Sequence, residues 1–399
     1  MKYIIVLADG MSDRPLEQLG GKTPLMAART PAIDSLCGQS RCGRLVTVPD
    51  DMPPGSEIAN LAVLGYDVRK VYQGRGVLEA ASMGVGLANN DLAMRCNIIC
   101  IENEKIKNHS AGHIGSEESL QLVETLNEKL AGPAVRFHPG VSYRHLLVIK
   151  DGKNDFTCTP PHDVPGTPFA EVLPRPTAEK SVTADLLGDL ILSSQDILGT
   201  HPVNLQRLAL GKDPGNSIWP WSPGFRPQMK TFKELYDLSG AVISAVDLIF
   251  GIGTYAGLQP IKVPGATGLF DTNYEGKAKA ACRALADLDF VFLHIEASDE
   301  AGHEGNAELK VRTIEALDQR VIRPIMACTA AMKEPVTMAL LPDHATPCAL
   351  RTHSRDAVPF LIFRPGEKAD GILEFNEETC RRGSYGLLKG DEFIKTLLR

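Results

Sequence analysis

Residues 3–8 read YIIVLA and are followed at once by Asp9 and Gly10. The run is short, continuous and rich in Ile, which is typical of a strand buried on both faces of a parallel sheet. Asp9 would therefore stand at the carboxyl end of a strand. Because open α/β sheets bind ligands beyond the carboxyl ends of their strands, Asp9 becomes a candidate site residue, the alternative being a simple cap of the turn at Gly10.

Three further runs have the same apolar character. They are DFVFLHIE at 289–296, VTMALL at 336–341 and VPFLIF at 358–363. Helix-like segments at 274–286 and 305–320 lie between them. Strands that alternate with helices predict an α/β core, in which a parallel sheet is covered by helices on both faces.

The middle of the chain has a different pattern. It combines strand-like runs at 97–101 and 145–149, an amphipathic helix candidate at 117–130 and a proline-rich passage at 159–176. We therefore predict a discontinuous core, formed by residues 1–90 and 215–399, and a smaller inserted α/β domain at 91–214. The insert is expected to bind substrate and to close over the core site, which would exclude water.

Composition narrows the classes of partner. The net charge of -7 is spread along the 399 residues, and no basic run interleaves with aromatics, so nucleic acid is not expected as a partner. The apolar stretch before Asp9 is too short for a signal peptide or a membrane span, which predicts a cytoplasmic protein that does not act at a membrane. The nine cysteines form no C-x-x-C pair and are expected to be reduced core thiols.

Candidate metal ligands occur in three more places. Asp299 and His303 are four residues apart, Asp343 and His344 directly follow the run at 336–341, and His353 comes nine residues after His344. Each alone could be an exposed pair, a turn aspartate or a loop histidine. Together with Asp9 they combine carboxylates and imidazoles without a thiolate, which predicts a site for two divalent metal ions.

Ser56 is the candidate nucleophile. It lies in PDDMPPGSEIANLAVLGYD at 49–67 and precedes an apolar-periodic segment at 57–64. The start of a helix favours an anion through its free N–H groups and its dipole. The alternative is an ordinary N-cap serine.

The ordered set VLADGMSDRP, PPGSEIANLAVLGYD, ASDEAGHEG, LLPDHATP and RTHSRDAVPF resembles the alkaline phosphatase superfamily. More closely, it resembles the cofactor-independent phosphoglycerate mutases of the archaeal type and a related bacterial subgroup of proposed homoserine kinases. The resemblance implies that Asp299, His303 and His353 hold one metal. It implies that Asp9, Asp343 and His344 hold the other, together with the Ser56 hydroxyl. Manganese is the expected ion, with zinc or magnesium as alternatives.

In the mutase reaction that this resemblance implies, Ser56 takes the phosphate from 3-phosphoglycerate, a small phosphorylated metabolite, and returns it to the 2-hydroxyl. Polar and basic side chains of the insert, with three residues outside it, are the candidates for binding that substrate. They are Arg75, His109, His113, Arg136, Arg144, His145, His162, Asp163, Arg207, Asn216 and Lys262.

Other functions remain open from the sequence. NHSAGHIG at 108–115 has histidines where archaeal-type mutases tend to carry an aspartate and arginines, which favours the homoserine-kinase subgroup, as does SIWPWSPG at 217–224. A kinase needs a nucleotide, yet there is no G-x-x-x-x-G-K-[ST] loop, and GIGTYA at 251–256 is only a weak dinucleotide pattern. A phosphatase would use the same core residues, and a metal-binding protein without catalysis is a fourth alternative. The sequence leaves the oligomeric state open.

Overall fold

The structure is a computed structural model that describes residues 1–399. The chain forms two compact units, one made of Met1–Tyr72 with Gln228–Arg399 and the other of Gln73–Pro227. The predicted boundaries, at 90 and 215, both fall inside the second unit. The reason is that segments assigned to the core by sequence pack on the second unit's own sheet, as described below.

The strands and helices are as follows. The strands are β1 (Lys2–Ala8), β2 (Arg41–Val46), β3 (Leu92–Glu102), β4 (Lys105–Asn108), β5 (Val135–Val141), β6 (Arg144–Ile149), β7 (Phe156–Thr157), β8 (Arg175–Pro176), β9 (Ser217–Gly224), β10 (Gly240–Ser244), β11 (Gln259–Lys262), β12 (Phe290–Ile295), β13 (Val336–Leu341), β14 (Val358–Phe363) and β15 (Gly386–Lys389). The helices are α1 (Pro24–Ala27), α2 (Pro31–Cys37), α3 (Ser56–Val63), α4 (Val68–Val71), α5 (Arg75–Ser82), α6 (Ser116–Leu130), α7 (Val182–Gly199), α8 (Pro202–Ala209), α9 (Phe232–Tyr236), α10 (Asp247–Tyr255), α11 (Tyr274–Asp287), α12 (Ala297–Glu304), α13 (Ala307–Leu317), α14 (Arg323–Ala330) and α15 (Glu392–Leu397). Short 3-10 turns occur at Glu17–Leu19, Phe169–Glu171 and Thr379–Arg382, and a π-helical segment at Asp318–Ile322 joins α13 to α14.

The larger unit is built on an eight-stranded sheet in the order β11-β10-β12-β1-β13-β14-β2-β15. Strands β11, β10, β12, β1 and β13 are parallel to one another. Every residue of β1, β12 and β13 is buried, so both faces of the central strands are covered. The sequence prediction of a mostly parallel α/β core is confirmed.

The direction of strand β14 differs from that prediction. It pairs antiparallel with both β13 and β2, so its carboxyl end lies at the opposite edge of the sheet from the ends of β1, β12 and β13. Its amino end therefore lies at the same edge as Asp9 and Asp343. His353, five residues before β14, reaches that edge in the loop from β13, and no parallel crossover is needed.

The smaller unit is built on a five-stranded antiparallel sheet, in which β3 pairs with β4, β6 and β9 and β6 also pairs with β5. Its core includes side chains of β3, β6, β9, α6 and α7. Strand β9 belongs here because it pairs with β3 from Ala93 to Ile99, although its sequence was assigned to the core. Helix α5 belongs here because a Cβ on Gly76 would come within 3.0 Å of the backbone of Ser222 and Ala93.

One smaller expectation also changes. Cys282 of α11 and Cys328 of α14 form a disulfide, because the two helices pack side by side, whereas seven other cysteines are free.

The GIGTYA segment runs through the carboxyl-terminal half of α10, so it is not a loop that could cradle phosphate. None of the helices has both the length and the apolar character that a membrane crossing requires.

Candidate metal centre

Three loops at one edge of the large sheet carry the predicted ligands. Asp9 follows β1, Asp343 and His344 follow β13, and His353 precedes β14. Residue Ala345 forms isolated bridges with Met11, Ser12 and Ser354, which ties the three loops together. Asp299 joins them from the first turn of α12, directly after β12.

Gly10 allows this close approach. Its backbone has φ of +60°, and a Cβ at this position would lie 2.5 Å from Asp299 Oδ1 and 2.6 Å from Thr346 Oγ1. Its N–H donates to Asp343 Oδ1 at 3.2 Å. Only glycine adopts this conformation without strain and leaves room for the neighbouring carboxylate.

The first group of candidate ligand atoms comes from Asp9, Asp343 and His344, all buried and within 4.8 Å of one another. His344 Nε2 lies 3.6 Å from Asp9 Oδ1 and 3.5 Å from Asp343 Oδ2. Ser56 Oγ is 3.1 Å from the same nitrogen. Asn60, one turn after Ser56 on α3, donates its amide to Asp343 Oδ2 at 2.8 Å and so connects the serine helix to the ligand loop.

The second group contains Asp299, His344 and His353, again within 4.8 Å. His303 Nε2 lies beside this group, 3.2 Å from Asp299 Oδ2 and 2.9 Å from His353 Nε2. The helical spacing of Asp299 and His303 therefore does place both on one side of α12. His344 contributes to both groups, so the assignment of three ligands to each metal remains a prediction.

His303, His353 and His344 each have a hydrogen-bond partner at Nδ1 as well. His303 Nδ1 lies 3.1 Å from the Arg351 carbonyl, His353 Nδ1 lies 3.4 Å from the Pro54 carbonyl and His344 Nδ1 lies 3.2 Å from Thr346 Oγ1. A partner on Nδ1 fixes the orientation of an imidazole and leaves Nε2 for a metal. All three Nε2 atoms point toward the aspartates.

The buried negative charge of these aspartates favours the binding of cations. The ion-pair partners of Asp9, Asp299 and Asp343 are all histidines, and the buried Asp9 Oδ1 has no hydrogen-bond partner. Burial, together with the negative charges of Asp343 and Asp299, raises the pKa of Asp9 well above its ordinary value. Buried carboxylates of this density need a compensating positive charge, so these residues fit a pair of divalent ions.

Protons compete for the same atoms. Burial pushes the pKa of Asp299 upward, but hydrogen bonds with His303 and His353 outweigh it and hold the pKa well below its ordinary value. The bond to Asp299 raises the pKa of His303 to about 9. Burial lowers the pKa of His344. A metal must displace the proton of His303, because a ligating imidazole is neutral.

This raised pKa gives a pH prediction for the metal-free protein. A histidine whose pKa rises from about 6.5 in the unfolded chain to about 9 in the fold contributes stability below pH 6.5, and this contribution is lost as the pH rises toward 9. In the presence of a chelator, the melting temperature should fall more steeply over that interval for the wild type than for His303→Gln. Parallel profiles for the two proteins would show that the pair with Asp299 does not control the titration.

Ser56 does not cap its helix. Gly55 is the N-cap of α3 and Ser56 is the first helical residue, one position earlier than the predicted start. Its hydroxyl lies against His344 Nε2 and does not bond a backbone N–H of the first turn. The half-buried side chain is therefore available to the metal site, as the prediction of a nucleophile requires.

Lys310 holds two of the ligand loops in place. Its side chain is fully buried, and Nζ donates to the Ser12 carbonyl at 3.0 Å, to Asp13 Oδ2 at 2.9 Å and to the Thr346 carbonyl at 2.8 Å. Cys348 N–H also donates to Asp13 Oδ2. The loop after β1 and the loop after β13 are thus joined through one ammonium group.

Lys310→Met should therefore destabilise the protein. The substitution leaves Asp13 as a buried charge without a counter-ion, for which we expect a loss of about 3–5 kcal/mol in the free energy of unfolding. Lys70→Met is the matched control, because Lys70 pairs with Asp67 at the surface and such pairs contribute about 0–1 kcal/mol. Urea denaturation of the two variants measures the difference, and equal losses would contradict the role of Lys310.

In the smaller unit, four of the predicted substrate-binding residues lie around the rings of Tyr143 and Trp221. Ring centroids of His109 and Tyr143 are 5.5 Å apart, those of His162 and Trp221 5.2 Å, and those of His109 and His162 6.0 Å. The other two members are His113, 6.5 Å from Tyr143, and Arg144, whose guanidinium is 5.7 Å from the same ring. Burial and the neighbouring His162 and His113 lower the pKa of His109.

Four further predicted substrate-binding residues are not part of this cluster of rings: Asp163, Arg75, Arg136 and Lys262. Asp163 lies 3.6 Å from His162. Arg75 lies at the start of α5, with its Nε buried and without a hydrogen-bond partner. Arg136 is exposed on β5, and Lys262 is exposed at the end of β11, in the larger unit.

Three of the predicted residues are engaged in structural bonds. Arg207 is buried and donates to the carbonyls of Asp213 and Ala111 and to Glu118 Oε2. Asn216 accepts from the N–H of Ile101 and donates to its carbonyl, both at 2.8 Å. His145 is buried in β6, where Nδ1 accepts from Gly140 N–H at 3.0 Å. The partners of Asn216 and two of the three partners of Arg207 are distant in sequence, so residue type alone suggested that these side chains were available.

Sequence reasoning missed several residues of both clusters. Arg95 lies over Trp221 at 4.3 Å, with Nε 3.0 Å from Glu79 Oε1. Thr346 donates to Asp299 Oδ1. His294 lies within β12 and contacts Asp9, and burial lowers its pKa to about 3. Its signal in the sequence is a single imidazole near the end of an otherwise apolar strand.

Comparison with known proteins adds to these observations. A family model described as "2,3-bisphosphoglycerate-independent phosphoglycerate mutase" matches residues 38–204. Proteins of that name from Methanosarcina acetivorans and Methanosarcina barkeri are 51% and 49% identical, each over 100% of both chains. A solved structure titled cofactor-independent phosphoglycerate mutase, from Thermoplasma acidophilum, is 26% identical with a TM-score of 0.72, over 100% of this chain and 99% of that one. A Pyrococcus horikoshii structure is 30% identical with a TM-score of 0.84, over 100% and 96%.

Proposed function

The chain belongs to the family of 2,3-bisphosphoglycerate-independent phosphoglycerate mutases, and we propose that it interconverts 3- and 2-phosphoglycerate through a phosphate carried on Ser56. It is an enzyme that moves a phosphoryl group within a small phosphorylated metabolite. One observation carries the proposal: Ser56 Oγ lies 3.1 Å from His344, a member of both groups of metal ligands.

In the proposed reaction, Ser56 Oγ attacks the phosphorus of 3-phosphoglycerate and the bond from phosphorus to the 3-oxygen breaks. The glycerate then turns within the site, and its 2-hydroxyl oxygen takes the phosphoryl group back from the serine. The start of α3 favours the anionic group, because free N–H groups lie in its first turn. Two divalent ions would supply activation of the serine hydroxyl and neutralisation of the phosphoryl charge.

We propose that Asp299, His303 and His353 hold one ion and that Asp9, Asp343 and His344, with Ser56, hold the other. Manganese is the proposed ion, with zinc or magnesium as alternatives, because the donors are carboxylate oxygens and imidazole nitrogens without a thiolate. The buried Asp9 Oδ1, which has no hydrogen-bond partner, supports a cation in this place.

The substrate-binding role of the smaller unit is also a proposal. Its support is the cluster around Tyr143 and Trp221, where His109, His113, His162 and Arg144 supply polar and basic groups suited to an acidic metabolite. Arg207, Asn216 and His145 serve this unit through their structural bonds. The proposed location is the cytoplasm, since phosphoglycerate, which carries a carboxylate and a phosphate, does not cross a membrane unaided.

A single assay separates the mutase from its alternatives. Purified protein with manganese is given either 3-phosphoglycerate alone or ATP with homoserine. We expect 2-phosphoglycerate from the first mixture without any nucleotide. O-phosphohomoserine from the second mixture, with no isomerisation in the first, would make the protein a kinase, and release of inorganic phosphate alone would make it a phosphatase.

A further inference from the structure

His294 is fully buried in β12, and both of its ring nitrogens have partners. Nε2 lies 2.9 Å from Asp9 Oδ2, and Nδ1 lies 3.1 Å from Ser244 Oγ. Ser244 ends β10, His294 lies in β12 and Asp9 directly follows β1, and β12 lies between β10 and β1 in the sheet. A chain of hydrogen bonds therefore runs across the sheet and ends on Asp9.

The direction of these hydrogen bonds follows from the donors available. A carboxylate oxygen only accepts, so Nε2 carries the proton that is shared with Asp9 Oδ2. Nδ1 of the neutral ring then accepts from the Ser244 hydroxyl. Ser244 Oγ in turn accepts from Val246 N–H at 3.0 Å, which leaves the hydroxyl proton free for the ring. Every donor in the chain has an acceptor.

The hydrogen bond with His294 gives the two carboxylate oxygens of Asp9 different surroundings. Oδ2 is held by His294, whereas Oδ1 is buried without a hydrogen-bond partner. Oδ1 is also the oxygen that lies 3.6 Å from His344 Nε2, on the side of Asp343 and Ser56. The contact with His294 thus fixes which oxygen of the carboxylate faces the other ligands.

We infer that His294, backed by Ser244, is a positioning residue that turns Asp9 Oδ1 toward the metal site of Asp9, Asp343 and His344. The inference rests on the proposed two-metal function. His294 does not touch the substrate, and its effect passes entirely through Asp9. A buried histidine that merely fills the core would not distinguish between the two metals.

The test is a calorimetric titration of metal-free protein with manganese. We expect two ions to bind to the wild type, and His294→Leu to weaken one of the two sites by about 10–100-fold with the other unchanged. His294→Gln should recover most of that affinity, because its amide N–H can reach Asp9 Oδ2. Ser244→Ala should weaken the same site by a smaller factor. With two manganese ions added per protein, electron paramagnetic resonance of His294→Leu should show more isolated ions and fewer coupled pairs than the wild type.

Phe292→Leu is the matched control, since Phe292 is buried two residues earlier on the same face of β12. It should lower the melting temperature and leave both affinities unchanged. The inference is overturned if His294→Leu binds both ions as tightly as the wild type, if His294→Gln loses as much as His294→Leu, or if Phe292→Leu weakens the same site equally. A wild-type protein that binds no metal would instead overturn the proposed function itself.

Discussion

Ser56→Ala is expected to lower the rate of 3-phosphoglycerate isomerisation by about 10⁴-fold or more, because no other hydroxyl lies against His344 Nε2 to accept the phosphate. The aspartates and histidines of the site remain, so manganese should still bind with similar stoichiometry. Formation of 2-phosphoglycerate, coupled to its dehydration by enolase, measures the rate. Binding of manganese to the variant, measured separately, shows that the site is otherwise intact.

Ser116→Ala is the matched control for this variant. Ser116 is the first residue of α6 after the N-cap Gly115, just as Ser56 follows Gly55 at the start of α3. The control therefore removes a serine from the same helical position outside the metal centre and should keep the wild-type rate. If Ser56→Ala retained a rate within about tenfold of the wild type, Ser56 could not be the nucleophile.

Asp343→Ala should have the second largest effect, with turnover reduced by about 10³-fold even at high manganese. The two oxygens of Asp343 accept hydrogen bonds from Gly10 N–H, His344 N–H and the Asn60 amide. Its loss removes a proposed ligand and also releases three groups that position the loops of the site. The fold should survive, because the charge of Asp343 also repels the neighbouring Asp9 in the metal-free protein.

Asp318→Ala provides the comparison with another buried aspartate. Asp318 is remote from the ligand loops in its contacts and accepts from Ile33 N–H at 2.7 Å. Its loss should lower the free energy of unfolding by about 1–3 kcal/mol while the folded fraction keeps its turnover and its metal. A similar loss of activity in both variants would mean that stability, and not ligation, explains the effect of Asp343.

The core, and the meeting of the candidate ligands at one edge of its sheet, could be predicted because their signals are local. An apolar run that stops at an acidic residue, as at Asp9 and Asp343, indicates the carboxyl end of a buried strand, and parallel strands bring such ends to one edge. The i, i+4 spacing of Asp299 and His303 needs only a helical turn. The direction of β14 could not be predicted in this way, because a buried apolar run has the same sequence pattern in a parallel and in an antiparallel strand.

Two of the predicted substrate-binding residues already have hydrogen-bond partners that are distant in sequence. Arg207 and Asn216 have the chemistry of ligand-binding side chains, but the backbone of Ala111 and Ile101 satisfies them across the sheet and loops of the smaller unit. His294 was not predicted, because its neighbours in β12 are apolar and its partners lie at the ends of β1 and β10. The boundary near residue 73 depends on how α5 packs, which local sequence does not encode.

The most direct test of the central claim is to look for phosphate on Ser56 during turnover. Protein with manganese is mixed with 3-phosphoglycerate, quenched in acid within milliseconds and analysed by peptide mass spectrometry. We expect phosphate on the peptide that contains Ser56, at a level that rises and decays with turnover and is absent when a chelator is added. Full isomerisation without any phosphate on Ser56 would contradict it.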